Sequence, residues 1–123
     1  MILVDTSVWI DFLQRGNAEL GARLHGGEVL VHPFVVGELA LGGLKQRDSI
    51  LEALKELPCM TVADHDEVLG FIDAHALHGT GIGFVDAHLL ASVVLAPGST
   101  LWTLDRRLAA AATRLGVARS PVH

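Results

Sequence analysis

The chain opens on an apolar run, Met1 to Val4, that stops at Asp5, and apolar positions then recur at helical rather than strand spacing. The run predicts a strand, and Thr6 and Ser7 are a polar pair able to cap a helix reaching about Gln14. A second helix is expected over Asn17 to His25, halted by Gly26 and Gly27. Glu28 to His32 alternates and carries β-branched residues, which predicts a strand; Pro33 then takes a first helical position, and its helix ends near Gly42 and Gly43. From Asp48 to Leu57, Ile50, Leu51, Leu54 and Leu57 share one face of a helix that Pro58 ends. Met60 to Val62 is a short strand candidate, and Asp64 with Glu67 has the spacing of a capping box for a helix to about Leu77. Gly79 to Gly83 reads as a flexible connector. An almost wholly apolar helix follows from about Phe84 to Ala96, then a Pro97-Gly98 turn, a strand from Thr100 to Leu104, and a last helix from Asp105 to about Leu115. Ser120 to His123 is expected to be a loose tail.

Alternating strands and helices predict an α/β protein, a three-layer α/β/α sandwich with a central, mainly parallel sheet whose crossovers are the helices. In such sheets ligands bind beyond the carboxyl ends of the strands, where Asp5 and Asp105 stand. Composition narrows this further. With 123 residues, half of them hydrophobic, and a mean hydropathy of +0.45, the chain is expected to form one domain over residues 1–123 and not to be disordered. The longest apolar stretch, Leu89 to Pro97, is broken by Ser92 and is about half the length needed to span a bilayer. No basic region precedes the first apolar run, so no secretion signal is expected and the cytoplasm is the predicted compartment. The single cysteine, Cys59, supports neither an internal disulfide nor a cysteine zinc site. A formal charge of −5 argues against a protein that grips nucleic acid in bulk, but is compatible with an enzyme that cuts it.

The placement of the fourteen acids matters more than their number. Asp48, Glu52 and Glu56 lie with Lys55 opposite the leucines of their helix, and Asp64, Asp66 and Glu67 crowd a helix start, where the dipole favours them. Asp11, Glu19, Glu28 and Asp73 sit in polar neighbourhoods. Four do not fit a solvated face. Asp5 ends Ile2-Leu3-Val4, Glu38 lies within Phe34 to Leu41 with no polar stripe around it and is expected to face inward, Asp86 lies within Phe84 to Leu90, and Asp105 follows Leu101 to Leu104. Converging carboxylates repel by roughly 3 kcal/mol per pair at about 5 Å and an effective dielectric of about 20, so a positive charge is needed among them. A hard cation, Mg²⁺ or Mn²⁺, suits oxygen ligands, takes one or two carboxylates and keeps waters; it also lowers the pKa of a bound water and neutralises a phosphoryl oxygen. Ser7 and Thr103 add hydroxyls beside two of the acids, suited to orienting water or equally to capping and strand packing.

These residues, Val4-Asp5-Thr6-Ser7-Val8-Trp9, Gly37-Glu38-Leu39, Asp86-Ala87 at the start of an apolar helix, and Thr103-Leu104-Asp105, carry a resemblance. From residue 2 to about 115 the chain resembles the PIN-domain ribonucleases, specifically VapC toxins of type II toxin-antitoxin systems. The resemblance implies an α/β/α sandwich, a Mg²⁺- or Mn²⁺-dependent endoribonuclease, a homodimer and a cognate antitoxin partner. It assigns Asp5, Glu38, Asp86 and Asp105 to the acidic, metal-holding site, with Asp5 and Asp86 as the direct ligands, and Thr103 to a supporting hydroxyl position. Many relatives carry a further acid two residues after the last Asp, where this chain has Arg107.

Other classes fit the residues less well. A phosphatase or phosphotransferase with Asp5 as nucleophile would want a second acid two residues on, where Ser7 stands, and a receiver-type signalling domain would want a late lysine where Asp105 stands. A catalytically inactive PIN-like interaction module would not need all four acids. Gly79-Thr80-Gly81-Ile82-Gly83 lacks the Lys-Ser/Thr of a Walker loop. His75 and His78 lack a third ligand, His88 is turned about 200° from Asp86 on its helix, and Trp9 and Trp102, able in principle to stack a base, lie inside apolar elements and are expected in the core. Arg106, Arg107 and Arg114 either meet RNA phosphates or complement surface acids.

Overall fold

The computed structural model describes residues 1–119; the expected loose tail, Ser120 to His123, lies outside them. Three parallel strands, β1 (Ile2–Val4), β2 (Val29–Leu30) and β3 (Thr100–Trp102), form a sheet in the order β2-β1-β3. Parallel single bridges, Val31 to Cys59 and Leu101 to Ala118, extend it at both edges. Successive residues of a strand point to opposite faces, and all three residues of β1 are buried. Helices therefore cover both faces, giving the α/β/α sandwich.

Seven helices make the crossovers among the described residues: α1 (Thr6–Arg15), α2 (Ala18–His25), α3 (Pro33–Leu41), α4 (Arg47–Lys55), α5 (His65–Ala74), α6 (Phe84–Val94) and α7 (Arg106–Arg114). Local signals act as expected at several ends. Asn17 caps α2 by accepting from the Leu20 N–H, Pro33 occupies the start of α3, and Asp64 and Glu67 form a reciprocal capping box at α5. Helix α6 is buried all round from Ala87 to Val93, which is why its sequence carries no amphipathic stripe. Trp9 and Trp102 are core residues, at 3% and 4% exposure. A smaller cluster of Ala63, Val68, Ala87 and Ala91 joins α5 to α6, where alanines allow the helices to approach closely.

Three expectations need correction. Met60 to Val62 is not a strand: the chain touches the sheet only at the Cys59 bridge and through the Met60 N–H to the Val31 carbonyl. The strand expected to reach Leu104 ends at Trp102, because Thr103 and Leu104 turn out of the sheet toward Ser7. Helix α5 ends at Ala74 rather than Leu77, and Ala76 has a φ of 52°, in the left-handed region that terminates helices.

Strand order places the site. From β1 the chain moves to one neighbour, β2, and later returns to the other side as β3. The direction of winding reverses at the carboxyl ends of β1 and β3, and ligands bind in the crevice that such a reversal opens. Asp5 and Thr103 are the first residues past those two ends.

Candidate active site

Asp5 is 6% exposed, and its backbone N–H is held by the Trp102 carbonyl at 3.0 Å. Its Oδ2 accepts from two hydroxyls. Ser7 Oγ donates to it at 2.8 Å while accepting from the Leu104 N–H at 3.0 Å. Thr103 Oγ1 donates to the same oxygen while accepting from the Asp105 N–H at 3.0 Å. Each backbone N–H occupies one side of its hydroxyl and so directs the hydroxyl proton to the carboxylate. The two hydroxyls lie 3.4 Å apart. Ser7 therefore does not cap α1: Asp5 is the N-cap residue and makes no side-chain cap bond.

The other acids come from three helix starts or faces around Asp5. Asp86 is half-buried in the first turn of α6, and its Oδ2 accepts from the Gly83 N–H at 3.0 Å. Burial raises the Asp86 carboxyl pKa, the charges of Asp5, Asp105 and Glu38 raise it further, and the Gly83 N–H partly opposes them. Asp105 is exposed and caps α7, its Oδ1 accepting from the N–H groups of Arg107 and Leu108 at 2.9 and 3.0 Å. Glu38 departs from expectation. It lies on the exposed face of α3 near Leu41, which is 90% exposed, and its Oε1 accepts from Thr6 Oγ1 at 2.7 Å. Its apolar neighbours in sequence mislead because that stretch of α3 puts Leu41 in solvent.

The four carboxylates are thus close enough to repel through Asp86, and among the described residues none forms an ion pair with Lys, Arg or His. Each has one oxygen held by a hydroxyl or backbone N–H, and no hydrogen bond among the described residues engages Asp5 Oδ1, Glu38 Oε2, Asp86 Oδ1 or Asp105 Oδ2. Among those residues no three His, Cys, Asp or Glu side chains are close enough to enclose a cation by themselves. The arrangement is open, all-oxygen and negatively charged. That donor set fits a hard divalent cation held by one or two carboxylates with water completing its shell.

Two contributors were not read from the sequence. Thr6 links the start of α1 to Glu38 on α3; its position directly after the strand-end Asp5 was the available signal. The glycine loop is more than a connector, since the Gly83 N–H fixes Asp86 and Gly81 lies against Arg107. The histidines stay apart from this chemistry: His88 is buried against Phe34 and Phe84, and burial, reinforced by the nearby His88, lowers the His32 imidazole pKa to about 4.

A parallel sheet of this order, with helices on both faces and carboxylates at its switch point, makes this a doubly wound α/β/α protein with an acidic site. The chain belongs to the PIN-domain family, whose sequence model matches residues 2–114. It is 51% identical over 118 residues, 96% of this chain and 95% of the relative, to Ribonuclease VapC32 of Mycobacterium tuberculosis, in both the CDC 1551 / Oshkosh and the ATCC 25618 / H37Rv strains. The fold is similar to the crystal structure of PAE2754 from Pyrobaculum aerophilum, with a TM-score of 0.62 at 19% identity over 94% of each chain.

Proposed function

We propose that this protein is a metal-dependent endoribonuclease and the toxin of a type II toxin-antitoxin system, a single PIN-like domain over residues 1–123 that hydrolyses phosphodiester bonds of RNA in the cytoplasm. The observation that carries this reading is the set of four carboxylates without a cationic partner at the switch point of the sheet. The 51% identity to a protein named Ribonuclease VapC32 supports RNA as the substrate. Asp5 and Asp86 are the direct ligands for Mg²⁺ or Mn²⁺, and Asp105 and Glu38 complete the charge around them and act on waters. Such a cation, when bound, supplies an activated water and neutralises charge on the phosphoryl oxygen. Thr103 and Ser7 keep the Asp5 carboxylate in one orientation and leave Oδ1 to the site. Gly83 does the same for Asp86.

The partners follow from the same reading: a homodimer of this chain and a cognate antitoxin. A basic antitoxin side chain, an Arg above all, would place fixed positive charge among the carboxylates and pair with them bidentately, so that inhibition competes with metal. No helix among the described residues is long and apolar enough to cross a membrane.

The test is cleavage of single-stranded RNA by purified protein. Mg²⁺ or Mn²⁺ should support it, and EDTA should stop it. Undiminished cleavage in EDTA would mean that the reaction needs no metal. In cells, expression of this chain alone should arrest growth and co-expression of the antitoxin should relieve the arrest.

A further inference from the structure

Five of the nine Lys and Arg side chains, Arg15, Arg23, Arg47, Lys55 and Arg119, pair with carboxylates. Among the described residues Lys45, Arg106, Arg107 and Arg114 do not, and the last three all lie on α7. In a chain of formal charge −5, three exposed arginines together without an acid partner leave their guanidinium forks for another anion.

They line a trough. Arg106, Arg107, Ala110, Ala111, Arg114 and Thr80 border a space of about 420 Å³ between α7 and the loop over residues 79–83. Arg107, Ala110, Ala111 and Arg114 have i, i+3, i+4, i+7 spacing, so guanidiniums stand at the two ends of one helical face with short methyl side chains between. At 1.5 Å per residue those ends are separated by about 10 Å along the axis. Arg107 lies against the loop and Arg114 is anchored to a carbonyl. Gly81 has a φ of +84°, which favours glycine, and a Cβ there would lie 2.8 Å from Cδ and Nη1 of Arg107, so the Arg107 side chain passes directly over the loop. Arg114 Nη2 donates to the His75 carbonyl at 2.8 Å.

The trough begins at the acidic cluster. Asp105, which caps α7, directly precedes Arg106, and the loop that packs on Arg107 ends at Gly83, whose N–H holds Asp86. The same loop also lines a cavity of about 210 Å³ with Ile72, Leu77, Ile82 and Phe84, and Phe84 is 44% exposed. Guanidiniums and an apolar space with an accessible aromatic, both along one loop, offer a single strand both phosphate contacts and a stacking surface. A purely acidic run such as polyglutamate would use the first and have no use for the second.

We propose that the α7 trough is a backbone-phosphate subsite for the RNA strand flanking the bond cut at the acidic cluster, with Arg106, Arg107 and Arg114 as its positioning residues. This rests on the ribonuclease reading above. Asp5→Asn protein in EDTA, which cannot cleave, is titrated with fluorescein-labelled single-stranded RNA over a range of salt, beside the same protein carrying R106Q, R107Q and R114Q together, or Lys at all three positions. The Gln triple should bind more weakly, with a log K against log salt slope shallower by ~0.7 for each phosphate left without its arginine, and the Lys triple should keep the slope. In the active background each single Gln change should raise KM and leave kcat in place. An unchanged affinity and slope in the Gln triple would overturn the proposal, as would competition by polyglutamate equal to that of unlabelled RNA. Failure of the ribonuclease reading has a different signature: wild-type protein that binds RNA through the trough and never cuts it.

Discussion

Helix α4 and the carboxyl end of the sheet are both rich in acids, and they handle them in opposite ways. On α4 the carboxylates stand in water beside bases: Glu52 Oε1 lies 3.3 Å from Lys55 Nζ and Asp48 Oδ1 lies 3.7 Å from Arg47 Nη1, with side chains 73% and 100% exposed. Such pairs contribute ~0–1 kcal/mol and are screened by salt. At the sheet end Asp5 is buried, Asp86 is half-buried, and the nearest polar groups are hydroxyls and backbone N–H groups rather than cations. Side chains of one chemistry thus become surface or site according to what faces them. Hydroxyls and amides orient a carboxylate without cancelling its charge, which leaves that charge for a ligand.

Neutralising one acid in each place should therefore have very unequal effects. Asp5→Asn or Asp86→Asn should lower RNA cleavage by roughly 10²–10³-fold or more, the scale of removing a group that stabilises transition-state charge. Acid should affect stability next. His32 is buried and neutral in the fold, with a pKa of about 4 against 6.5 for the free side chain. Its contribution is present above pH 6.5 and is lost as the pH falls through about 4, a loss of roughly 2–3 kcal/mol that urea unfolding at pH 7 and pH 4 would read. Asp86 behaves in the opposite sense. Its pKa is raised, so its charge costs stability above the raised value and costs none below 3.8. Any stability gained by Asp86→Asn in EDTA should therefore be largest at neutral pH and shrink toward acid. On the metal-site proposal, Thr103→Val, which removes one of the two hydroxyl donors to Asp5, should reduce cleavage ~10–100-fold. Glu52→Gln on α4 and Asp66→Asn at the start of α5 should change stability by less than ~0.5 kcal/mol and leave the cleavage rate unchanged. A large rate loss at either, in folded protein, would erase the distinction between solvated acids and site acids.

What could be read in advance was local. The apolar run ending at Asp5 marks both a strand and its carboxyl end, and the Asp64–Glu67 spacing specifies a cap; each signal is complete within a few residues, and both are present in the fold. What could not be read depends on residues far apart in the chain. Whether Glu38 faces in or out is decided by what packs on α3, and apolar neighbours in sequence point to the wrong side because Leu41 itself is left in solvent. Ser7 resembles an ordinary cap and instead bridges Asp5 to Leu104, 97 residues away. The glycine loop resembles a connector because its partner, Arg107, lies beyond α6 and β3.

Whether these carboxylates form a divalent-cation site can be decided by the melting temperature of wild-type and Asp86→Asn protein, each in EDTA and in Mn²⁺. Mn²⁺ should raise the wild-type value, by the equivalent of about 2.7 kcal/mol at a hundredfold excess over the dissociation constant. Asp86→Asn should melt at or above wild type in EDTA, freed of one repelling charge, and should respond weakly or not at all to the metal. A wild type that does not respond to Mn²⁺, or an Asp86→Asn protein that responds as fully as wild type, would mean that the four acids are not a cation site.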